Sequence, residues 1–329
     1  MTMMNRRLGR TGWRISEIGY GAWQIGGTMW GMVDDDHARA AVEAALETGI
    51  DFFDTALAYG HGRSERVIGE VVAAVGERDR VRIASKVPPM NWQWPARADA
   101  PLREVFPADW IRECAHRSLE NLGGDPIDLL QLHVWADAWT DDDEWYDALC
   151  ALREEHVIRA FGVSVNDHEP ESAIRVTRSG RVDTVQVIYN VFDQSPEDAL
   201  FPAAQEAEVG VIVRVPLDEG SLGGTLTADA VFGNGDMRRN YFRGDRLAET
   251  VKRVERLRPL LEADGQSMAQ GALRFCLSHP AVCTVIPGST DPAHIRDNAS
   301  VSAAGPLAAS VRLRLKSHAW PRNFYGAGD

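Results

Sequence analysis

Little in this chain can cross-link it, anchor it in a membrane or hold a metal by spacing alone. Its four cysteines, Cys114, Cys150, Cys276 and Cys283, form no CxxC pair. Most of them sit in apolar patterns of helix or strand type, so they are expected to be reduced core thiols of a cytoplasmic protein. The opening MTMMNRRLGR lacks the apolar stretch of a secretory signal. No apolar run approaches the ~18 residues that a membrane span needs. Positive charge is in deficit: 48 acidic against 35 basic side chains give a formal charge of −13. That balance opposes nonspecific binding to nucleic acid or anionic membranes and leaves a small molecule as the expected partner. The nine histidines show no HExxH or paired-ligand spacing, and Cys114 with His116 is isolated, so no metal is expected. The NAS at Asn298 matches a glycosylation sequon without a secretory context.

What the chain has in quantity is alternation. The runs EIGYGAW, DFFDTA, VRIASKV, IDLLQLH, IRAFGVSV, VDTVQVIYN, VGVIVRVPL and VCTVIPGS have strand character, and helical patterns lie between them. DDDHARAAVEAALETG carries Asp34 or Asp35 as a cap and Gly49 as a stop, and FPADWIRECAHRSLENLG begins beside Pro107 and ends at Gly123. Eight strands each followed by a helix close into a (β/α)8 TIM barrel, expected to be one domain over residues 1–329. An open doubly wound sheet would need a GxGxxG turn after its first strand, which is missing. Two additions are expected. RRLGRTGWRISEIG, with a turn at Thr11 and Gly12, reads as a hairpin capping one end. DRLAETVKRVERLRPLLEADG and SMAQGALRFCLSHP both read as helices, so an extra helix lies between strands 7 and 8. Residues 223–244 are Gly-rich and charged, and should form a long loop of the binding or lid type.

Barrels place their chemistry at the C-terminal ends of the strands. Asp54 and Tyr59 follow the second strand, Lys86 lies on the third and His133 on the fourth. A carboxylate buried at Asp54 requires a partner, and Lys86 is the cation in reach. A tyrosine ordinarily titrates near ~10. Lys86 beside the Tyr59 hydroxyl would lower that value, with Asp54 holding the lysine charged, which makes Tyr59 a general acid. His133 could donate to a carbonyl oxygen and position it. None of these side chains supplies a hydride, whereas a nicotinamide cofactor would. Singly, each has an ordinary explanation as a helix cap, a rim charge or a core histidine; their joint placement on one face is the argument. Of the ten tryptophans, Trp30, Trp92, Trp94, Trp135 and Trp320 fall in loops or at strand ends. Trp30, Trp92 and Trp135 are expected to line an aromatic substrate pocket, with the tail WPRNFYG nearby.

In order and spacing, LGRTGWRISEIGYGAWQIGG, DFFDTALAYGHGRSERVIGE, IASKV, IDLLQLH, FGVSV, VQVIYN and VIPGS resemble the aldo-keto reductases over nearly the whole chain. The resemblance implies the same barrel and the NAD(P)H-dependent reduction of a small aldehyde or ketone to its alcohol, reversibly. Asp54, Tyr59, Lys86 and His133 would be the catalytic tetrad. It further implies cofactor contacts from Gly21, Trp23, Ser164, Gln186, Arg214, Pro216, Leu217, Gly288, Ser289, His294 and Asn298. Where the family usually has Asn directly after the serine, this chain has Val165 and then Asn166. Either Asn166 takes that contact or it is missing. Arg214 stands where an aromatic that stacks on the nicotinamide is common, and a planar guanidinium can also stack. His294 stands where arginine or glutamine is common, with Arg296 or Arg238 available to help meet a 2′-phosphate. NADP(H) with modest discrimination against NAD(H) follows. The family resemblance also extends to potassium-channel β subunits, so a nucleotide-sensing regulatory subunit with little turnover is the alternative function.

Overall fold

The structure, a computed structural model, describes residues 3–27 and 29–325. Strands β1 (Asn5–Arg7) and β2 (Arg14–Ser16) pair antiparallel as the expected hairpin. Eight parallel strands follow: β3 (Tyr20–Gly21), β4 (Phe52–Asp54), β5 (Arg82–Val87), β6 (Ile127–Leu132), β7 (Ile158–Ser164), β8 (Thr184–Ile188), β9 (Gly210–Arg214) and β10 (Val282–Val285). They pair in chain order, and the sheet curls until Ile18 bridges Val285 in parallel, so its two ends meet. The (β/α)8 expectation holds.

At this seam the backbones approach too closely for side chains. A Cβ on Gly21 would lie 2.6 Å from the Ile286 carbonyl oxygen, and one on Gly288 would lie 2.9 Å from that of Gly21. Glycine is required there because nothing larger fits, and Gly21 N–H then donates to Pro287 O at 3.1 Å.

Alternate side chains of each strand face opposite ways. Phe52, Ala84, Leu129, Ala160 and Ile212 face inward and pack with Leu8 and Ile15 of the hairpin, which plugs the N-terminal end. Phe53, Ile83, Leu130, Val163, Val185 and Val213 face outward and bury against the helices. Further along the same inward-facing alternation come Asp54, Lys86, Gln131, Ser164, Gln186 and Arg214. The barrel interior is therefore apolar at its base and polar at its mouth.

The helix Asp35–Glu47 is capped by Asp34, whose carboxylate accepts from His37 N–H at 2.9 Å. The helix Ala108–Asn121 begins directly after Pro107. Two long helices, Arg246–Leu261 and Met268–Leu277, separate β9 from β10, and Ser267 and Gln270 form a capping box at the second. Residues 223–244 are more ordered than a bare loop. They contain a helical turn, Arg238–Tyr241, and bury Leu226, Phe232 and Met237 against Tyr241, Phe242 and Leu247. The glycines and charges that point to a loop conceal the few apolar residues that pin it down. Met237 N–H donates to Met29 O at 2.9 Å, which ties this excursion to the loop after β3. All four cysteines are free, with Cys114 and Cys276 buried. Among the described residues no helix is long and apolar enough to cross a membrane.

Candidate active site

Lys86 is fully buried inside the mouth. Its ammonium donates to Asp54 Oδ1, to Thr55 O at 2.8 Å and to the Tyr59 hydroxyl at 3.5 Å, so each of its three protons has an acceptor. Asp54 Oδ2 accepts from Gln186 Nε2 at 2.7 Å and Gln131 Nε2 at 3.3 Å. The Asp54 carboxylate is thus held by the expected cation and by two amides.

Burial raises the Tyr59 pKa; the Lys86 charge, Arg214 and the Lys86 hydrogen bond pull the other way, while Asp54 adds to the rise. This corrects the expected net lowering: desolvation of the hydroxyl costs the phenolate more than the paired lysine returns. Tyr59 therefore stays a phenol and holds its proton. His133 is pushed well below its ordinary range by burial first, then by Lys86 and Arg214, so the ring is neutral. Its Nδ1 is buried with no partner among the described residues. Tyr59 and His133 meet edge to face at 5.6 Å.

The aromatic surroundings differ from expectation. Trp23 stacks on Tyr59 at 6.1 Å and Trp30 meets Trp23 edge-on at 5.8 Å, so these two wall the mouth. Trp92 is half exposed at the rim, 6.4 Å from His61. Trp135 does not reach the mouth. It is fully buried, edge-on to Trp139 at 5.8 Å and Trp145 at 5.2 Å, because the chain turns outward after His133 and sends this ring into the outer core. Trp94 instead stands against His133, with ring centres 4.5 Å apart.

Among the residues expected at a cofactor, Ser164 ends β7 and is the register partner of Gln186, which lies mid-strand in β8. Asn166 is engaged elsewhere. Its Nδ2 donates to Ala96 O at 3.0 Å and to Glu169, and its Oδ1 accepts from Ala96 N–H at 3.2 Å, so it clamps the loop after β5. Arg214 Nη2 donates to Val165 O and to Asp167 Oδ1, each at 2.8 Å. After β9 the backbone turns through left-handed values at Val215, Asp218 and Glu219, beside Pro216 and Leu217. Past β10, Tyr20 donates to Ser289 O at 2.8 Å, and Asp291 caps the helix Pro292–Ala304, which carries exposed His294 and buried Asn298. The two arginines considered there are committed: Arg296 to Glu47 at 3.0 Å, and Arg238 to Asp236 at 2.6 Å with its guanidinium 4.6 Å over the Trp30 ring.

Among the described residues the tail bonds to the loop after β9, and not to Trp92 or Trp135. Arg322 Nη2 donates to both oxygens of buried Asp218 at 2.6 Å, and Tyr325 donates to buried Glu219. Ser221 and Tyr241 add donors to Asp218 at 2.6 Å and 3.2 Å. Burial, with Asp218 and Asp167 adding to it, raises the Glu219 carboxyl to about 7 against the pull of Tyr325 and Arg214.

The sequence profile of the Aldo/keto reductase family matches residues 17–319. The chain belongs to that family. Among aldo-keto reductases, YhdN of Bacillus subtilis (strain 168) is 32% identical over 288 residues, which cover 87% of this chain and 84% of that one. The NADH-specific methylglyoxal reductase of Escherichia coli (strain K12) is 28% identical over 301 residues, covering 88% and 91%. The solved glycerol dehydrogenase AKR11B4 from Gluconobacter oxydans superimposes with a TM-score of 0.78 at 27% identity, covering 97% of this chain and 95% of that one. In this aldo-keto reductase, sequence reasoning missed Gln131 and did not separate Trp94 from the other loop tryptophans. Gln131 lies two residues before His133, and strand period alone places both on the inward face.

Proposed function

We propose that this aldo-keto reductase reduces a small aldehyde or ketone to its alcohol, reversibly, with Tyr59 as proton donor. The observation that carries the reading is Lys86, fully buried with its ammonium between Asp54 and the Tyr59 hydroxyl. A reduced nicotinamide, when bound, supplies the hydride. The mouth suits such a group: Ser164 and Gln186 pair across adjacent strands, Arg214 Nε is buried without an acceptor among the described residues, and Gly21 and Gly288 leave no side chain at the seam. Gly21, Trp23, Arg214, Pro216, Leu217, Ser289, His294 and Asn298 would complete the contacts.

Neutral His133 orients the carbonyl oxygen toward Tyr59. As charge develops on that oxygen, the Tyr59 proton moves to it, and Lys86, anchored by Asp54, stabilises the phenolate left behind. Trp23, Trp30, Trp92 and Trp94 favour an apolar or aromatic substituent on the carbonyl. A 2′-phosphate would be met by Ser289, Thr290 and His294, beside Arg296, whose pair with Glu47 is exposed on both sides and so only weakly held. Use of NADP(H) with modest discrimination against NAD(H) follows. The test is nicotinamide absorbance with NADPH and NADH over a panel of aldehydes and ketones, for wild type and Tyr59→Phe. Turnover should fall ~10²-fold to ~10⁴-fold in the variant with cofactor affinity little changed. Wild-type-like turnover in Tyr59→Phe would sink the assignment.

A further inference from the structure

Arg214 ends β9 with its Cα opposite Ile188 of β8, yet its guanidinium bonds to Val165 and Asp167, beyond the end of β7. Since β8 lies between β7 and β9, the side chain must cross the mouth over β8, past Gln186 of β8 and toward its register partner Ser164, which ends β7. It is only partly covered, with a side-chain exposure of 20%. Its Nε is buried without an acceptor among the described residues, a cost a purely structural clamp would not need to carry. Its charge is felt at both Tyr59 and His133.

We propose that Arg214 makes the protein discriminate between the redox forms of its dinucleotide, holding the reduced form more tightly than the oxidised one. This rests on the cofactor reading above. A reduced nicotinamide ring is neutral and an oxidised ring carries a positive charge, so a cation lying over its place penalises only the oxidised form. A bare unit charge within ~6 Å, at a protein-like dielectric, would shift the ratio of affinities roughly 100-fold. Asp167, paired with Arg214, cancels part of that and leaves an effect of about tenfold. An aromatic at this position would accept a cationic ring instead, through its negative face.

The experiment is calorimetric titration of the whole protein with NADPH, NADP⁺, NADH and NAD⁺. The readout is the ratio of the oxidised to the reduced Kd in wild type, Arg214→Met, Arg214→Lys and Asp167→Asn. Arg214→Met should lower the ratio about tenfold, mainly by tightening the oxidised form. Arg214→Lys should retain it, and Asp167→Asn should widen it several-fold. A clamp without electrostatic selectivity would weaken both forms alike, so a constant ratio across the set overturns the proposal. If Arg214→Met does not fold, Asp167→Asn decides, and no widening there is the refuting result. Wild type that binds no dinucleotide would instead refute the cofactor reading on which this stands.

Discussion

Replacing Glu219 by glutamine tests the junction between the tail and the loop after β9. Glu219 is 5% exposed, and its carboxyl is raised from an ordinary value of 4.5 to about 7, chiefly by burial. A carboxyl whose folded pKa lies above its unfolded one binds its proton more tightly in the folded chain. That preference stabilises the fold fully below pH 4.5 and is lost as pH rises through about 7. The gap corresponds to about 3 kcal/mol at ~1.4 kcal/mol per pH unit. Glutamine stays neutral and can still accept from Tyr325, so the variant should lack only this pH-dependent part. Other groups titrate alike in both proteins and cancel in the difference. Near pH 4.5 the two should melt together. By pH 8 the variant should melt higher by roughly 6 °C, at ~2 °C per kcal/mol for a chain of this size. Thermal denaturation of both proteins at a fixed scan rate across pH 4.5–8 is the assay. Parallel melting curves at all pH values would refute the raised carboxyl and the dry environment inferred for it.

The remaining expectations concern the mouth and the tail. Asp54→Asn leaves Lys86 facing an amide; it should slow reduction on the order of 10²-fold and also shift its pH profile, and an unchanged profile in a kcat/KM titration would make Asp54 purely structural. Deleting the chain from Trp320 onward removes Arg322 from buried Asp218, a loss worth roughly 3–5 kcal/mol for a broken buried pair. It should weaken cofactor affinity more than it changes the order of preference among carbonyl substrates; calorimetry and a substrate panel giving the reverse would detach the tail from the cofactor loop.

The barrel was legible because strand and helix periods are local. Each strand run announces itself within a few residues, and strand ends then point to Asp54, Lys86 and His133. What was not legible depends on contacts remote in sequence. Arg322 and Asp218 are 104 positions apart, and nothing near either names the other. Asn166 looked available because its partner, Ala96, lies 70 residues away and offers only backbone. Trp135 misled for a different reason: it follows a site histidine by two positions, but the strand has ended and inward–outward alternation no longer applies. The net direction of the Tyr59 shift required knowing how far the fold desolvates its hydroxyl, which depends on neighbours from several strands.

The seam between β3 and β10 also dictates an order of events during synthesis. Tyr20 and Ser289, joined by a hydrogen bond there, are 269 residues apart, so their pairing waits ~13 to ~54 s at ~5–20 residues per second of translation. Asp54, Lys86 and Gln131 lie on three successive strands and emerge long before the ring can shut. Gln186 follows on β8, and the Gly21–Gly288 crossing comes after it. For much of that interval the nascent sheet has two free edges and an uncovered ammonium–carboxylate pair, which makes the open arc the stage at which a chaperone has something to hold.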